Sequence, residues 1–102
     1  MPFVRISVMT AKPGHEQEVS DLIDRLIALY QGHHGFINAY RLVGRGAPTA
    51  PSFGRLSMWE HAEDIRAMVG EQKDIALQSQ LKLITDEETH AEYSFEAFPI
   101  NP

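Results

Sequence analysis

One apolar stripe constrains this chain more than any other feature. Val19, Leu22, Ile23, Leu26, Ile27 and Tyr30 recur at i, i+3, i+4, i+7, i+8 and i+11. At 3.6 residues per turn these side chains share one wide face. The spacing predicts a helix from about Gly14 to Gln31, with Gly32 as its stop. Glu16 and Glu18 suit its first turn, where the dipole favours negative charge. A stripe this broad has to be pressed against a second apolar layer, and the flanking segments are suited to supply one.

Phe3 to Thr10 alternates, with Val4, Ile6 and Val8 on one side and Arg5, Ser7 and Met9 on the other. That period of two, with β-branched residues, predicts a strand. Phe36 to Val43 is a second predicted strand, with Phe36, Asn38, Tyr40 and Leu42 on one face. The turn-rich stretch Gly44–Ser52 follows, long for a hairpin and expected to be exposed and mobile. Phe53 to Trp59 is a third strand, with Phe53, Arg55, Ser57 and Trp59 facing one way and Leu56 and Met58 the other.

Glu60–Asp64 opens a second helix that buries Ala62, Ile65, Met68 and Val69, and Gly70 breaks or bends it. A more polar helical stretch runs from Glu71 to about Ile84, with Ile75, Leu77, Leu81 and Ile84 as its buried positions. Whether the 61–84 region is one helix or two stays open. His90 to Phe98 is the last strand, with Ala91, Tyr93, Phe95 and Ala97 on one face.

The order β-α-β-β-α-β gives an α+β, ferredoxin-like arrangement: a four-stranded antiparallel sheet with helices on one face. The other face then holds Val4, Ile6, Val8, Leu56 and Met58, and nothing in the chain covers it. A second copy is the simplest cover, so a homodimer is expected.

Composition narrows the partners. The net charge is −5, which disfavours nucleic acid and anionic membranes. The chain has no cysteine, hence no disulfide or thiolate metal site. No apolar run approaches the roughly 20 residues that span a bilayer, and Met1–Arg5 lacks a basic start leading to an apolar stretch. A cytoplasmic protein of one domain over 102 residues is expected. The histidines show no metal spacing: His33 and His34 are adjacent, and no HExxH-type pattern occurs. Gly44-Arg45-Gly46 leads to Pro48 and not to a helix, so it is no phosphate loop.

Several short motifs resemble antibiotic biosynthesis monooxygenase-like domains of the dimeric α+β barrel superfamily. They are Lys12-Pro13-Gly14-His15-Glu16 before the first helix, His34-Gly35-Phe36 entering the second strand, and Ser57-Met58-Trp59-Glu60 closing the third. The resemblance implies two sheets packed face to face as a homodimer, with a pocket between each sheet and its helices. It also implies chemistry of the cofactor-independent oxygenase kind on aromatic or quinol-type molecules, so no cofactor is expected. The haem-degrading branch carries an Asn in the first strand, a Trp ending the third and a His on the next helix. Here those positions are Ser7, Trp59 and a site near Val69, so that activity is not expected.

Within this frame the expected pocket residues are Trp59, Arg5, Ser7, Asn38, Arg55 and Ser57. Trp59 is either the flat wall of a ligand pocket or a core indole under the helices. Arg5 and Arg55 either hold an anionic oxygen or close salt bridges with Glu or Asp. Asn38 and Tyr40 either add polar contacts to the pocket or serve the sheet edge. His61 is either a pocket acid or base or a helix cap. No general base is evident. The expectation is a solvent-reachable pocket of at least roughly a few hundred Å³ that touches Trp59. The alternatives to an enzyme are a ligand-binding or stress-associated dimer, or an interaction domain that docks through the Gly44–Ser52 loop.

Overall fold

The computed structural model describes residues 2–46 and 51–100. Part of the Gly44–Ser52 stretch, residues 47–50, therefore lies outside the described residues. Four strands form one antiparallel sheet: β1 (Phe3–Met9), β2 (Phe36–Val43), β3 (Phe53–Trp59) and β4 (Ala91–Glu96), in spatial order β2-β3-β1-β4. Three helices pack on one face: α1 (Glu16–Tyr30), α2 (Ala62–Val69) and α3 (Gln72–Leu83). The shortest dimension of the Cα trace is 19 Å, which fits one sheet and one helical layer.

The α1 stripe behaves as its spacing predicts. Val19, Leu22, Ile23, Leu26 and Tyr30 are buried, and they meet Met9 and Trp59 from the sheet and Leu77 and Leu81 from α3. Gly32 follows the helix without taking a left-handed conformation; the two positive-φ glycines are Gly14 and Gly35. Gly35 has a specific reason. A Cβ there would stand 1.9 Å from Oδ2 of Asp64, the carboxylate that accepts the His61 backbone N–H at the start of α2. His61 thus sits at the N-cap of α2, as the plainer of its two readings had it.

Two helices, and not one, fill the 61–84 region. Gly70 closes α2 and Glu71 opens α3 in extended backbone, with its N–H bonded to the Met68 carbonyl. The buried face of α3 is Asp74, Leu77 and Leu81, at i, i+3 and i+7. Ile75 was expected inside but is 53% exposed. It lies two residues from Leu77, about 200° around the helix, so the two cannot share a face. Val69 is also turned further out than expected.

The register fixes the two faces of the sheet. Arg5 pairs with Ser57, and Ser7 with Arg55 and with Glu92, all toward the helices. Val4, Ile6 and Val8 pair with Met58, Leu56 and Gly54, and Ile6 and Val4 also pair with Tyr93 and Phe95, all on the other face. In β2 a bulge falls between Phe36 and Asn38. The extra residue reverses the alternation. Phe36 therefore opposes Trp59 on the helix side, while Asn38 and Tyr40 oppose Met58 and Leu56 on the far side.

Candidate functional site

The helix-facing side of the sheet divides into a dry end and a polar end. At the dry end Trp59 is fully buried. Its ring lies 5.6 Å from Tyr30 and 5.3 Å from Phe36, both in tilted, edge-on contact. Such a packed aromatic trio is core, and Trp59 does not line the cavity described next. The expectation of Trp59 as a pocket wall is corrected: the α1 stripe and Phe36, brought inward by the bulge, close over it.

At the polar end a cavity of about 530 Å³ opens between the sheet and α2 and α3. That is an ordinary size for a small-molecule site. Arg5, Ser7, Arg55 and Ser57 line its floor, as the strand alternation predicted. Asn38 does not take part. The bulge turns it to the opposite face, where its side-chain amide donates to the Tyr40 hydroxyl at 2.9 Å and its Oδ1 accepts from the Ala39 N–H. Met68 and Val69 of α2 and Asp74 and Gln78 of α3 form the roof, and His90 and Glu92 close the side.

Glu92 organises the floor. It accepts from Arg5 Nη2 at 2.6 Å and from the Ser7 hydroxyl at 3.1 Å, and its Oε1 lies 3.9 Å from Arg55 Nη2. Burial pushes this carboxyl up, but Arg5 and then Arg55 outweigh it and hold Glu92 below the usual carboxylate range. The salt-bridge reading of the two arginines is thus realised, with Glu92 as the shared partner.

Arg55 is 4% exposed and only partly engaged. Its Nε donates to the Tyr30 hydroxyl at 2.9 Å. Burial raises the Tyr30 pKa, and Arg55 opposes that rise. Asp74, 3% exposed, is the second buried charged group. Burial raises its pKa, with Arg55 and then Gln78 pulling the other way.

Buried polar atoms nearly always find partners. Among the described residues four buried side-chain atoms do not: Arg55 Nη1, Asp74 Oδ1, His90 Nε2 and Trp59 Nε1. The first three belong to residues of this one cavity. His90 Nε2 lies 3.8 Å from Glu92 Oε1, which leaves a guanidinium nitrogen of Arg55 and a carboxyl oxygen of Asp74 as the unsatisfied charged groups of the cavity wall.

Glu92, Asp74, His90 and Tyr30 were not among the expected site residues. Tyr30 was visible only as the end of the apolar stripe. Asp74 had a signal, its i−3 spacing from Leu77. Glu92 had one too, since it alternates with Tyr93 and Ala91 and so shares the face of the arginines only if β4 lies beside β1. Among the described residues no cluster of three or more His, Cys, Asp or Glu has the geometry of a metal site, and no helix is long and apolar enough to cross a membrane.

Neither the family models nor the curated proteins gave a match to this sequence. The fold, by contrast, is shared with several solved structures. A variant of SnoaB, a cofactor-independent oxygenase of Streptomyces nogalater, superposes with a TM-score of 0.81 at 16% identity, over 99% of this chain and 97% of that one. A provisionally assigned antibiotic biosynthesis monooxygenase of Nitrosomonas europaea gives 0.81 at 11% identity, over 94% and 89%. A dimeric protein of ferredoxin-like fold and unknown function from Bacteroides fragilis gives 0.75 at 11% identity, over 94% and 96%. These likenesses bear out the sequence resemblance at the level of fold.

Proposed function

We propose that this chain is an antibiotic biosynthesis monooxygenase-like protein, working as a homodimer on a small aromatic or quinol-type substrate held between its sheet and helices. The observation that carries the reading is the cavity lined by two buried charged residues, Arg55 on the sheet and Asp74 on α3, each with one side-chain atom unpaired. Substrates of this kind donate electrons to oxygen themselves once deprotonated. The protein then has to bind the ring, exclude bulk water and stabilise the oxyanion. Arg55 would serve the last task, since a planar guanidinium matches an oxyanion with paired N–H donors. Met68 and Val69 offer apolar contact, and Ser7 and Ser57 offer hydroxyls on the floor. Support also comes from the fold shared with a cofactor-independent oxygenase. The cytoplasm is the compartment proposed with it.

The homodimer is proposed on the apolar outer face of the sheet, where Tyr40, Tyr93 and Phe95 are half exposed around Ile6 and Leu56. A solved protein of the same fold is dimeric.

Oxygen uptake with a panel of hydroquinones and anthrones tests the reading. Wild type is expected to exceed the buffer rate with at least one compound. Arg55→Met is expected to lose about 100-fold, the usual cost of removing one oxyanion donor. Background rates across the panel would leave a second reading, a dimer that binds a ligand without turning it over. One observation favours that reading: Val69, near the helix position where relatives of the resemblance carry a histidine, gives the cavity an apolar wall.

A further inference from the structure

The cavity contains two carboxylates in opposite situations. Glu92 is met by Arg5 at 2.6 Å and by the Ser7 hydroxyl, so its charge is already satisfied. Asp74 has no ion-pair partner within 4 Å among the described residues, and its Oδ1 is buried without a hydrogen bond. It is fixed on the sheet-facing side of α3 by the packing of Leu77 and Leu81, and Gln78, one turn along, lines the same chamber. Across the cavity Arg55 has its Nε on Tyr30 and its Nη2 turned toward Glu92, which leaves Nη1. An unpaired carboxyl oxygen and an unpaired guanidinium nitrogen thus belong to residues that line one chamber, from opposite layers.

We propose that Asp74 is the proton acceptor of this cavity: a hydroxyl-bearing ligand gives its O–H proton to the Asp74 carboxylate, and the Arg55 guanidinium holds the ligand oxygen left with the charge. The assignment rests on the ligand-pocket reading above. The step balances within the site. One O–H bond breaks on the ligand and one forms on Asp74, so a single negative charge moves from the carboxylate to the ligand oxygen. The cavity's net charge does not change, and the proton does not reach solvent.

The surroundings favour this direction. A carboxylate whose charged form is disfavoured by burial is a stronger base than one in water. Two carboxyl groups whose proton affinities are pushed apart divide their roles, and here Glu92 is held ionised by Arg5 while burial raises Asp74. The other groups facing the chamber are Arg5 on β1, Tyr30 on α1 and Lys82 on α3, with Glu87 and His90 beyond α3. Of these, Glu87 is the only further carboxylate besides Glu92, and it lies exposed at the rim.

A chromophoric phenol, 4-nitrophenol, reads the step directly, because its neutral and ionised forms absorb at different wavelengths. The probe is titrated into the full chain at a pH where the free probe is mainly neutral, with the heat measured in two buffers of different ionisation enthalpy. The expected result is a phenolate band on binding with no net proton passed to buffer. Asp74→Asn is expected to lose the band, or to keep it only with a full proton released for each phenolate bound. A bound neutral probe in wild type, a phenolate that releases its proton to buffer in wild type, or an Asp74→Asn variant that matches wild type would each overturn the assignment. Failure of the probe to bind at all would instead overturn the ligand-pocket reading beneath it. The wild-type proton count holds the test open even if the Asn variant does not fold.

Discussion

The two faces of the single sheet divide the work of this molecule. The helix-facing side mixes large apolar groups with buried polar ones: Trp59 and Met9 at one end, Ser7, Arg55 and Ser57 at the other. The outer side is apolar in its middle strands, with Val4, Ile6, Val8, Leu56 and Met58, and its rim carries Tyr40, Tyr93 and Phe95, each about half exposed at 52%, 50% and 52%. Covering the inner side leaves a chamber, because polar groups need partners or a ligand more than they need contact. The outer side has no such groups in its centre and calls for plain burial, at roughly 25 cal/mol per Å² of apolar surface. On the proposed reading, function belongs to the face that packs imperfectly, and association to the face whose centre has only apolar area to hide.

Substitutions at the dry end of the inner face are expected to have the largest effect. Trp59→Ala removes a fully buried indole from the Tyr30–Phe36 trio, and a loss of about 3–5 kcal/mol is expected in denaturant unfolding. Because Trp59 is outside the cavity, any ligand affinity should fall only as the folded fraction falls. On the outer face, Ile6→Asp puts a carboxylate where the proposed partner sheet lies. It is expected to raise the dimer dissociation constant by at least about 100-fold, measured by sedimentation, while leaving the inner-face residues in place. If Ile6→Asp had no effect on association, the two faces would not differ as argued.

The smallest effects are in pH, and their signs are opposite for the two carboxyls. Glu92 is held below its ordinary value in the fold, so its contribution is present above the carboxylate range and is lost as pH falls through the folded pKa. Glu92→Gln should therefore be less stable than wild type at neutral pH, with the gap closing in acid. Asp74 is raised, so its contribution is complete below its ordinary value of 3.8 and is lost as pH rises through the folded pKa. Asp74→Asn should remove that loss, so that it gains on wild type as pH rises above the ordinary Asp range. Thermal melts across pH 3 to 8, a window around the ordinary carboxylate pKa values near 4, read both.

The fold was legible because its signals are local. The stripe from Val19 to Tyr30 and the alternation of β1 and β3 each fix a face without reference to the rest of the chain. They place Arg5, Ser7, Arg55 and Ser57 on one face, and the four line one cavity. Asn38 was misplaced because a one-residue bulge at the start of β2 reverses every side chain after it, and bulges have no composition of their own. Trp59 could be assigned to the face but not to wall or core, since that depends on how closely Tyr30 and Phe36 approach. Glu92 stayed hidden because it meets Ser7 across 85 positions of sequence. Asp74 was passed over in favour of Ile75 because a buried carboxyl contradicts binary patterning, and such contradictions concentrate at functional sites.

Sedimentation equilibrium of the wild-type chain at micromolar concentration tests the division of faces most directly. The account predicts a particle of twice the 11.5 kDa chain mass, which Ile6→Asp reduces to one. A wild-type particle of single-chain mass with a cooperative unfolding transition would show that the bare outer face needs no twin, and the contrast between the two faces would fail.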